Sequence, residues 1–596
     1  MTLAFGIDLG TTHTALASAN VTDESPPKVE PVTQLVARNE VDARPLLPSF
    51  LYFASDGEDA LALPWATERR FCVGAHARAR AVEAPDRVVS SAKSWLCHPG
   101  IDRRAAALPA NAADDIEAIS PVEASFRFLD HLAEALQARP GPSLAEHPVI
   151  LTVPASFDAA ARDLTVEAAY AAGLDQLTLL EEPQAALYAW LAAHQANFRD
   201  HLRPDDVVLV IDIGGGTTDF SAIRCVERNG ELELERVAVG DHILLGGDNM
   251  DLTLAHVALQ RARGGGGTQD RLQLASLAHA CRNAKERLFA EPELQSVPVA
   301  VAGRGSALMG NVVRSEVTRA DVESSLIQGF FPRVDAAAQP AQRARTGLTR
   351  LGLPYASDPA ITKHLAAFLC KNAELGSSST LLRPTAVLFN GGVVKAQAVR
   401  DCIVQTLNGW LERDGAPALR VLPGDDPELA VARGAAFYAR VRAGKGLRIR
   451  GGTARAYYIG IESPAPAVPG LEPPMIAMCV SPFGMEEGTH AELPAHELGV
   501  IVGEPVQFRF FGSTARRHDA AGATLESWSD AELQELSPLE VTLPAEGREA
   551  GDVVPVHLEA QVTPVGTLLL EAVPFEPKQA DERWKVELGV RSHDSD

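Results

Sequence analysis

Two turns rich in glycine and threonine, Gly6-Ile7-Asp8-Leu9-Gly10-Thr11-Thr12 and Ile211-Asp212-Ile213-Gly214-Gly215-Gly216-Thr217-Thr218-Asp219, lie far apart in the chain yet share one grammar. Each closes an apolar run, Leu3-Ala4-Phe5-Gly6-Ile7 or Val207-Val208-Leu209-Val210-Ile211. The runs are continuous rather than alternating, which is how a strand buried on both faces reads. Each strand ends on an Asp. The neighbouring glycines let the backbone approach an anion closely, so that main-chain N–H groups can surround phosphate oxygens. The Thr hydroxyls add donors, and the two carboxylates can hold the hydration shell of a Mg²⁺ ion. One such turn is ordinary; two on separate buried strands imply a clamp for the phosphates of a nucleotide. No G-x-x-x-x-G-K-[ST] sequence occurs, so the clamp is not a P-loop.

At 596 residues the chain exceeds a single core, and several domains are expected. A formal net charge of −24 argues against nucleic acid or an anionic membrane as the main partner, because phosphate contacts need clustered Lys and Arg. The seven cysteines are scattered and form no C-x-x-C pair, which fits reduced thiols rather than a disulfide framework or a zinc site. Residues 1–20 lack the pattern of a signal peptide, and no apolar stretch reaches membrane-spanning length. A soluble, cytoplasmic protein is expected.

Up to about residue 440 strands alternate with helices, as in α/β layers. Val149–Val153 reads as a buried strand, Ala159–Ala172 as a helix stopped by Gly173, Leu177–Leu180 as a strand, and a helix opens near Pro183. The unit restarts near residue 207, which implies two similar halves facing each other across a cleft. Asp270–Phe289 and Leu429–Arg442 read as helices, Ala386–Phe389 as a buried strand, Gly264–Gly267 as a flexible connector, and 332–358 as a surface insertion. Beyond Gly446 short alternating runs, Tyr457–Glu462, Pro505–Phe511, Pro555–Val562 and Leu568–Val573, read as a small antiparallel sandwich. Trp584–Val590 could add one last strand before a polar tail.

The order of motifs resembles the DnaK-type heat-shock protein 70 chaperone family and, through it, the actin-like ATPases. After the first turn come Ser91-Ala92-Lys93, Thr152-Val153-Pro154-Ala155-Ser156-Phe157, Glu181-Glu182-Pro183-Gln184-Ala185-Ala186 and the second turn. Leu245-Gly246-Gly247-Asp248-Asn249-Met250-Asp251, Phe389-Asn390-Gly391-Gly392 and Pro427-Glu428-Leu429-Ala430 follow. The resemblance implies an α/β actin-like two-lobed ATPase domain over residues 1–445, a linker at 446–455, and a β-sandwich substrate-binding domain at 456–577. Residues 578–596 would hold a last short strand and a tail, too little for a helical lid. It implies ATP or ADP with Mg²⁺ as ligands and leaves room for K⁺. Asp8 and Asp212 would order Mg²⁺ through water, Thr11 and Thr217 would touch phosphate, Lys93 would neutralise γ-phosphate charge, and Glu182 would orient water. Gly10, Thr12, Gly214, Gly215, Gly216, Thr218, Gly246, Gly247, Asp248, Lys285, Gly391, Gly392, Lys395 and Glu428 would complete the nucleotide site. Pro154 and Arg162 match the family's proline switch and arginine relay, which carry nucleotide state outward.

Departures from the family pattern fall in three places. Arg282 stands where the family has Glu, Phe289 where it has Ser, and Lys395 where it has Arg, so ribose and base contacts must be rearranged. The linker, Lys445-Gly446-Leu447-Arg448-Ile449-Arg450-Gly451-Gly452, keeps alternating apolar residues but has lost its carboxylates. Thr178 replaces an Arg used by J-domain cochaperones, which leaves that partner open. The expected function is an ATP-hydrolysing, chaperone-like protein that holds extended polypeptide in a lidless β domain under control of nucleotide state. Alternatives are a nucleotide-gated adaptor for one dedicated protein and a small-metabolite kinase of the same fold, which would need a carboxylate base near the γ-phosphate.

Overall fold

The computed structural model describes residues 3–98, 101–195, 197–228, 231–263, 271–301, 313–341, 353, 355–373, 380–424, 426–445, 449–450, 453, 455–462, 474–485, 489–491, 493–494, 498–513, 515–516, 518–529, 532–536, 539–545, 547–563, 568–578 and 582–588. The glycine run at 264–267, linker residues 446–448 and 451–452, most of 342–354 within the expected insertion, and 589–596 lie outside them. The chain divides into two compact units, one of residues 1–155 and 164–448, the other of 156–163 and 449–596.

The first unit is built from two like sheets. In the first, β1 (Leu3–Leu9) turns into β2 (His13–Asn20), and the short helix α1 (Ala92–Leu96) follows much later. β3 (Val149–Val153), β4 (Leu177–Glu181) and helix α2 (Glu182–Ala193) complete this half. The sheet runs β4-β3-β1-β2, parallel from β4 to β1 and antiparallel at the β1–β2 hairpin. The second half repeats the scheme with β5 (Val207–Ile213), β6 (Thr218–Arg228), β7 (Glu231–Val239), helices α3 (Gly247–Arg263) and α4 (Arg271–Ala290) and β8 (Ala386–Asn390), after which helix α5 (Ala430–Arg442) returns to the first half. Here β8 lies parallel to β5, and β5, β6 and β7 form an antiparallel meander. The continuous apolar runs explain the burial: Phe5, Ile7, Leu209 and Ile211 are all inaccessible, because helices cover both faces of each sheet.

Helix α5 crosses β1 and α2 at positions where no side chain fits. A Cβ on Gly6 would lie 2.2 Å from the Ala436 nitrogen, and one on Gly434 only 1.7 Å from the Ala185 carbonyl oxygen. The alanines Ala432 and Ala436 pack there against Ala15, Ala17 and Ala19. Small residues thus let backbones approach, which fixes α2, and with it Glu182, against β1.

The second unit carries β9 (Ala456–Glu462), β10 (Met475–Ser481), β11 (Pro505–Phe508), β12 (Phe510–Ser513), β13 (Leu539–Thr542), β14 (Val553–Val562), β15 (Leu568–Pro574) and β16 (Trp584–Leu588). β10, β9 and β12 pair antiparallel in one sheet, and β14, β15 and β16 in another. One core takes Tyr457, Ile459, Met478 and Phe510 from the first sheet and Val556, Leu568, Leu570 and Trp584 from the second. The run expected as one strand over Pro505–Phe511 is two: β11 pairs with β13, and after Arg509 the chain passes to β9 as β12. Arg509 marks the change, its guanidinium held by Glu535 at 2.6 Å. No helix among the described residues of the chain is long and apolar enough to cross a membrane.

Candidate functional site

The turn after β1 and the turn after β5 meet. A Cβ on Gly215 would fall 2.0 Å from Thr12 Cγ2, and one on Gly216 would fall 2.7 Å from Thr11 Cγ2 and 2.6 Å from Ser94 Oγ. Only glycine permits that approach. The Gly246–Gly247 turn stacks on the second hairpin, with the Gly247 nitrogen donating to the Gly214 carbonyl at 3.1 Å and the Asp248 nitrogen to Gly215 at 2.7 Å. The loop after β8 closes the ring: Gly391 has φ +90°, and a Cβ there would lie 2.4 Å from the Ile213 carbonyl oxygen. Gly10, Thr11, Thr12, Gly214, Gly215, Gly216, Gly246, Gly247, Gly391 and Gly392 therefore form one cradle.

Beneath it lie the charges. Asp8 sits at the end of β1 opposite Thr152 of β3, and Asp212 at the end of β5 opposite Asn390 of β8 and Asp219 of β6. Asn390 Nδ2 donates to Asp212 Oδ2 at 2.5 Å. Lys93 of α1 forms an ion pair with Glu182, the first residue of α2, and both side chains are largely buried. Burial, reinforced by the charge of Glu182, pushes the Asp8 carboxyl up to about 7 and that of Asp212 up to about 8. Burial raises Glu182 as well, against the pull of Lys93. For Lys93 burial works the other way, and Glu182 and Asp8 outweigh it to raise the ammonium's value.

Several carboxylates thus surround a single ammonium, an excess of negative charge that suits a divalent cation. Among the described residues no three His, Cys, Asp or Glu side chains converge closely enough to ligate an ion directly. The donor set therefore fits Mg²⁺ held through its water shell, beneath a glycine cradle that any Cβ would fill.

A cleft of about 420 Å³ opens beside the cradle, lined by Thr12, Gly215, Lys285, Phe289, Lys395 and Glu428 among others. Arg282, at the family's Glu position, brings its own carboxylates: it pairs with Asp248, donates to Asp251 Oδ2 at 2.7 Å, and lies 5.5 Å over the Phe50 ring. Lys285 reaches Asp251 Oδ1 at 2.6 Å and the Gly247 carbonyl at 3.1 Å. Asp248 also accepts from Ser91 Oγ at 2.7 Å, and Arg78 spans the cleft to Glu286 at 2.7 Å. Lys395 pairs with Glu428 and stands 3.2 Å from Asp426. His13 is neutral at this wall: burial and Arg78 bring it down to about 3, and Arg78 Nη1 donates to its Nε2 at 3.2 Å.

Sequence reasoning missed Phe50, Ser91, Arg78, Asp219 and Asp251 as members of the site. Ser91, Asp219 and Asp251 stood inside quoted motifs; Phe50 and Arg78 carried no local signal. Away from the cleft, Thr178 accepts a hydrogen bond from Arg442. Thr217 and Thr218 end the second turn, where Thr218 Oγ1 donates to the Leu245 carbonyl at 2.8 Å. Pro154 follows β3 directly, and Arg162 is buried, its Nε donating to the Phe157 carbonyl at 3.2 Å.

The sequence profile of the family described as Hsp70 protein matches residues 4–344. The chain is 33% identical over 301 residues to the chaperone protein HscA homolog of Methylococcus capsulatus, covering 49% of this chain and 42% of that protein. It is 33% identical over 316 residues to the chaperone protein HscA of Pectobacterium atrosepticum, covering 50% of this chain and 44% of that protein. A match to the HscA homolog of Bordetella petrii, 27% identical over 456 residues, reaches 75% of this chain and 59% of that protein. The chain therefore spans less than half the length of the first two relatives. With the family profile matched over more than half of its residues, the chain belongs to the Hsp70 family.

Proposed function

We propose that the first unit binds ATP with Mg²⁺ and hydrolyses it slowly to ADP and phosphate, and that the protein acts as a molecular chaperone. The observation that carries this reading is the meeting of two glycine turns over a buried Lys93–Glu182 pair flanked by Asp8 and Asp212. When bound, Mg²⁺ would neutralise phosphate charge, with Asp8 and Asp212 holding its waters. The backbone N–H groups of both turns and the Thr11, Thr12 and Thr217 hydroxyls would take the phosphate oxygens, while the buried Thr218 hydroxyl, held by the Leu245 carbonyl, would brace the turn. Lys93 would lie against the terminal phosphate and release Glu182 to orient the attacking water. Lys285, with Arg282, Gly392 and Lys395, would hold the nucleoside in the cleft.

The second unit would bind extended polypeptide as a β-sandwich, by strand addition and apolar contact. Ile501 and Val553, partners in register, and Phe575, whose nitrogen donates to Pro555, leave exposed apolar side chains at one end of β14. Nucleotide state would govern that binding through Pro154 and Arg162. A second reading, an adaptor for one dedicated protein, is favoured by a single observation: Thr178, at the family's J-domain position, is occupied by Arg442. Phosphate release measured with and without unfolded model peptides separates the two. Stimulation by peptides supports the chaperone; indifference to every peptide, with turnover intact, overturns it in favour of the adaptor.

A further inference from the structure

Ser91 stands immediately before the helix that carries Lys93, and it adopts φ +55° and ψ 29°, the left-handed region that residues other than glycine rarely enter. Its carbonyl accepts from the Ser94 nitrogen at 3.0 Å and the Trp95 nitrogen at 3.4 Å, so the bend at Ser91 sets the direction of α1 and of Lys93 with it. The strain of that bend is offset from across the cleft, where Ser91 Oγ donates to Asp248 Oδ2 at 2.7 Å. Asp248, the second residue of α3, is itself fixed twice. Its nitrogen donates to the Gly215 carbonyl at 2.7 Å, which ties it to the glycine cradle, and its Oδ1 pairs with Arg282 of α4. Arg282 donates in turn to Asp251 Oδ2 at 2.7 Å and packs 5.5 Å over the Phe50 ring, which keeps it beside Asp248. Arg282, Asp248 and Ser91 thus form a charge-assisted series that begins in the second half and ends on the bend that starts α1 in the first.

We propose that Ser91 is a positioning residue for hydrolysis: its hydroxyl, held by Asp248 and Arg282, bends the chain so that Lys93 is aimed at the terminal phosphate. Glu182 grips the ammonium end of Lys93, and Ser91 governs the other end, where the backbone enters α1. Both supports matter because lysine is a point charge on a flexible stem, aimed only when its backbone is fixed as well. The series also gives Arg282 a task. An arginine at the family's Glu position cannot accept from a ribose hydroxyl, but it holds one oxygen of Asp248 and leaves the other turned to Ser91. Lys93, a residue of the first half, is in this way directed by side chains of the second. The effect on hydrolysis rests on the role proposed for Lys93; the hold on its backbone does not.

The test compares Ser91→Ala with Ser91→Gly in the full chain. Both lose the hydroxyl, and Asp248 keeps Arg282, so neither variant leaves that carboxylate without a cation. Glycine takes positive φ without strain and alanine does not, so Ser91→Gly should unfold at the higher urea concentration. Single-turnover phosphate release should nonetheless fall about tenfold in both, with the ATP dissociation constant changed by no more than about twofold, because the backbone cradle is untouched. A normal rate in both variants, or its recovery in the better-folded Ser91→Gly, overturns the positioning role and leaves Ser91 a structural bend. Reductive methylation of the nucleotide-free chain, read by peptide mass spectrometry, follows Lys93 without ATP. Its amine should label at least about threefold faster in both variants than in the unaltered chain, since the turn that holds it is loosened. Unchanged labelling of Lys93 overturns the hold, whatever the turnover. If the unaltered protein turns over no ATP, the fault lies in the ATPase reading, and the labelling still decides whether Ser91 holds Lys93.

Discussion

Lys93 and Glu182, from different helices of the first half, form a buried ion pair at the foot of the glycine cradle. Each is the other's chief electrostatic support, and each lies within the influence of Asp8. Lys93 is thus a preorganised cation, which in the proposed function would exchange its partner for phosphate. Lys93→Ala should lower ATP turnover by about 10²–10³-fold, the size seen when one preorganised stabilising group is removed. Nucleotide binding should survive, because the backbone cradle is untouched. Single-turnover phosphate release alongside nucleotide titration checks both halves.

Glu182 raises both Asp8 and Asp212, so it stabilises Lys93 at a cost to its neighbours. Lys93 nonetheless depends on it: Glu182→Gln leaves a buried ammonium without its chief partner and should destabilise the metal-free protein by about 3 kcal/mol. The same change should slow hydrolysis about 10²-fold, since the amide cannot orient water as a carboxylate does. Melting curves in chelator and steady-state rates in Mg²⁺ would show stability and activity falling together.

Helix propensity and packing disagree at Gly434, and packing should win. Alanine is the better helix former by about 1 kcal/mol. Its Cβ, however, would lie 1.7 Å from the Ala185 carbonyl oxygen and 2.8 Å from the Ala189 nitrogen, both of them backbone. Gly434→Ala should destabilise the first unit by about 3 kcal/mol or more through forced separation of α5 and α2. Urea unfolding gives the value, and turnover should fall as Glu182 shifts with its helix.

Three histidines of the first unit titrate well below their ordinary 6.5: His13 and His279 at about 3 and His131 at about 4. Burial is the leading cause for each. The unfolded chain binds protons that the folded one refuses, so these sites contribute their full stability above pH 6.5 and lose it as pH falls toward 4. Unfolding free energy measured against pH should decline over that window. His131, whose Nε2 bonds to the Thr33 carbonyl at 3.0 Å, offers the cleanest check: His131→Gln should reduce proton uptake on unfolding by about one.

Much of this was legible in the sequence for a physical reason. Leu3–Leu9 and Val207–Ile213 are buried on both faces, so their apolar runs are uninterrupted, and glycine at the turns is demanded by backbone approach, which leaves a fixed mark in a chain. The stop at Gly173 was readable likewise, since it adopts positive φ. Side-chain partnerships were not. Arg282 looked like a lost acceptor because its carboxylates, Asp248 and Asp251, come from another helix, and Arg78 meets Glu286 only after the two halves close. The break at Arg509 was hidden because β11 and β12 are both apolar and only their partners, β13 and β9, distinguish them.

The central claim is that the facing turns grip a magnesium-bound nucleotide, and Gly215 is where they come closest. Calorimetric titration of the chain with ATP in Mg²⁺, repeated on Gly215→Val, tests it most directly. The account predicts one site per chain in the unaltered protein and at least about tenfold weaker binding in the variant, whose side chain must displace Thr12. Absence of binding heat in the unaltered protein at any practicable concentration, or equal affinity in the two, would contradict it.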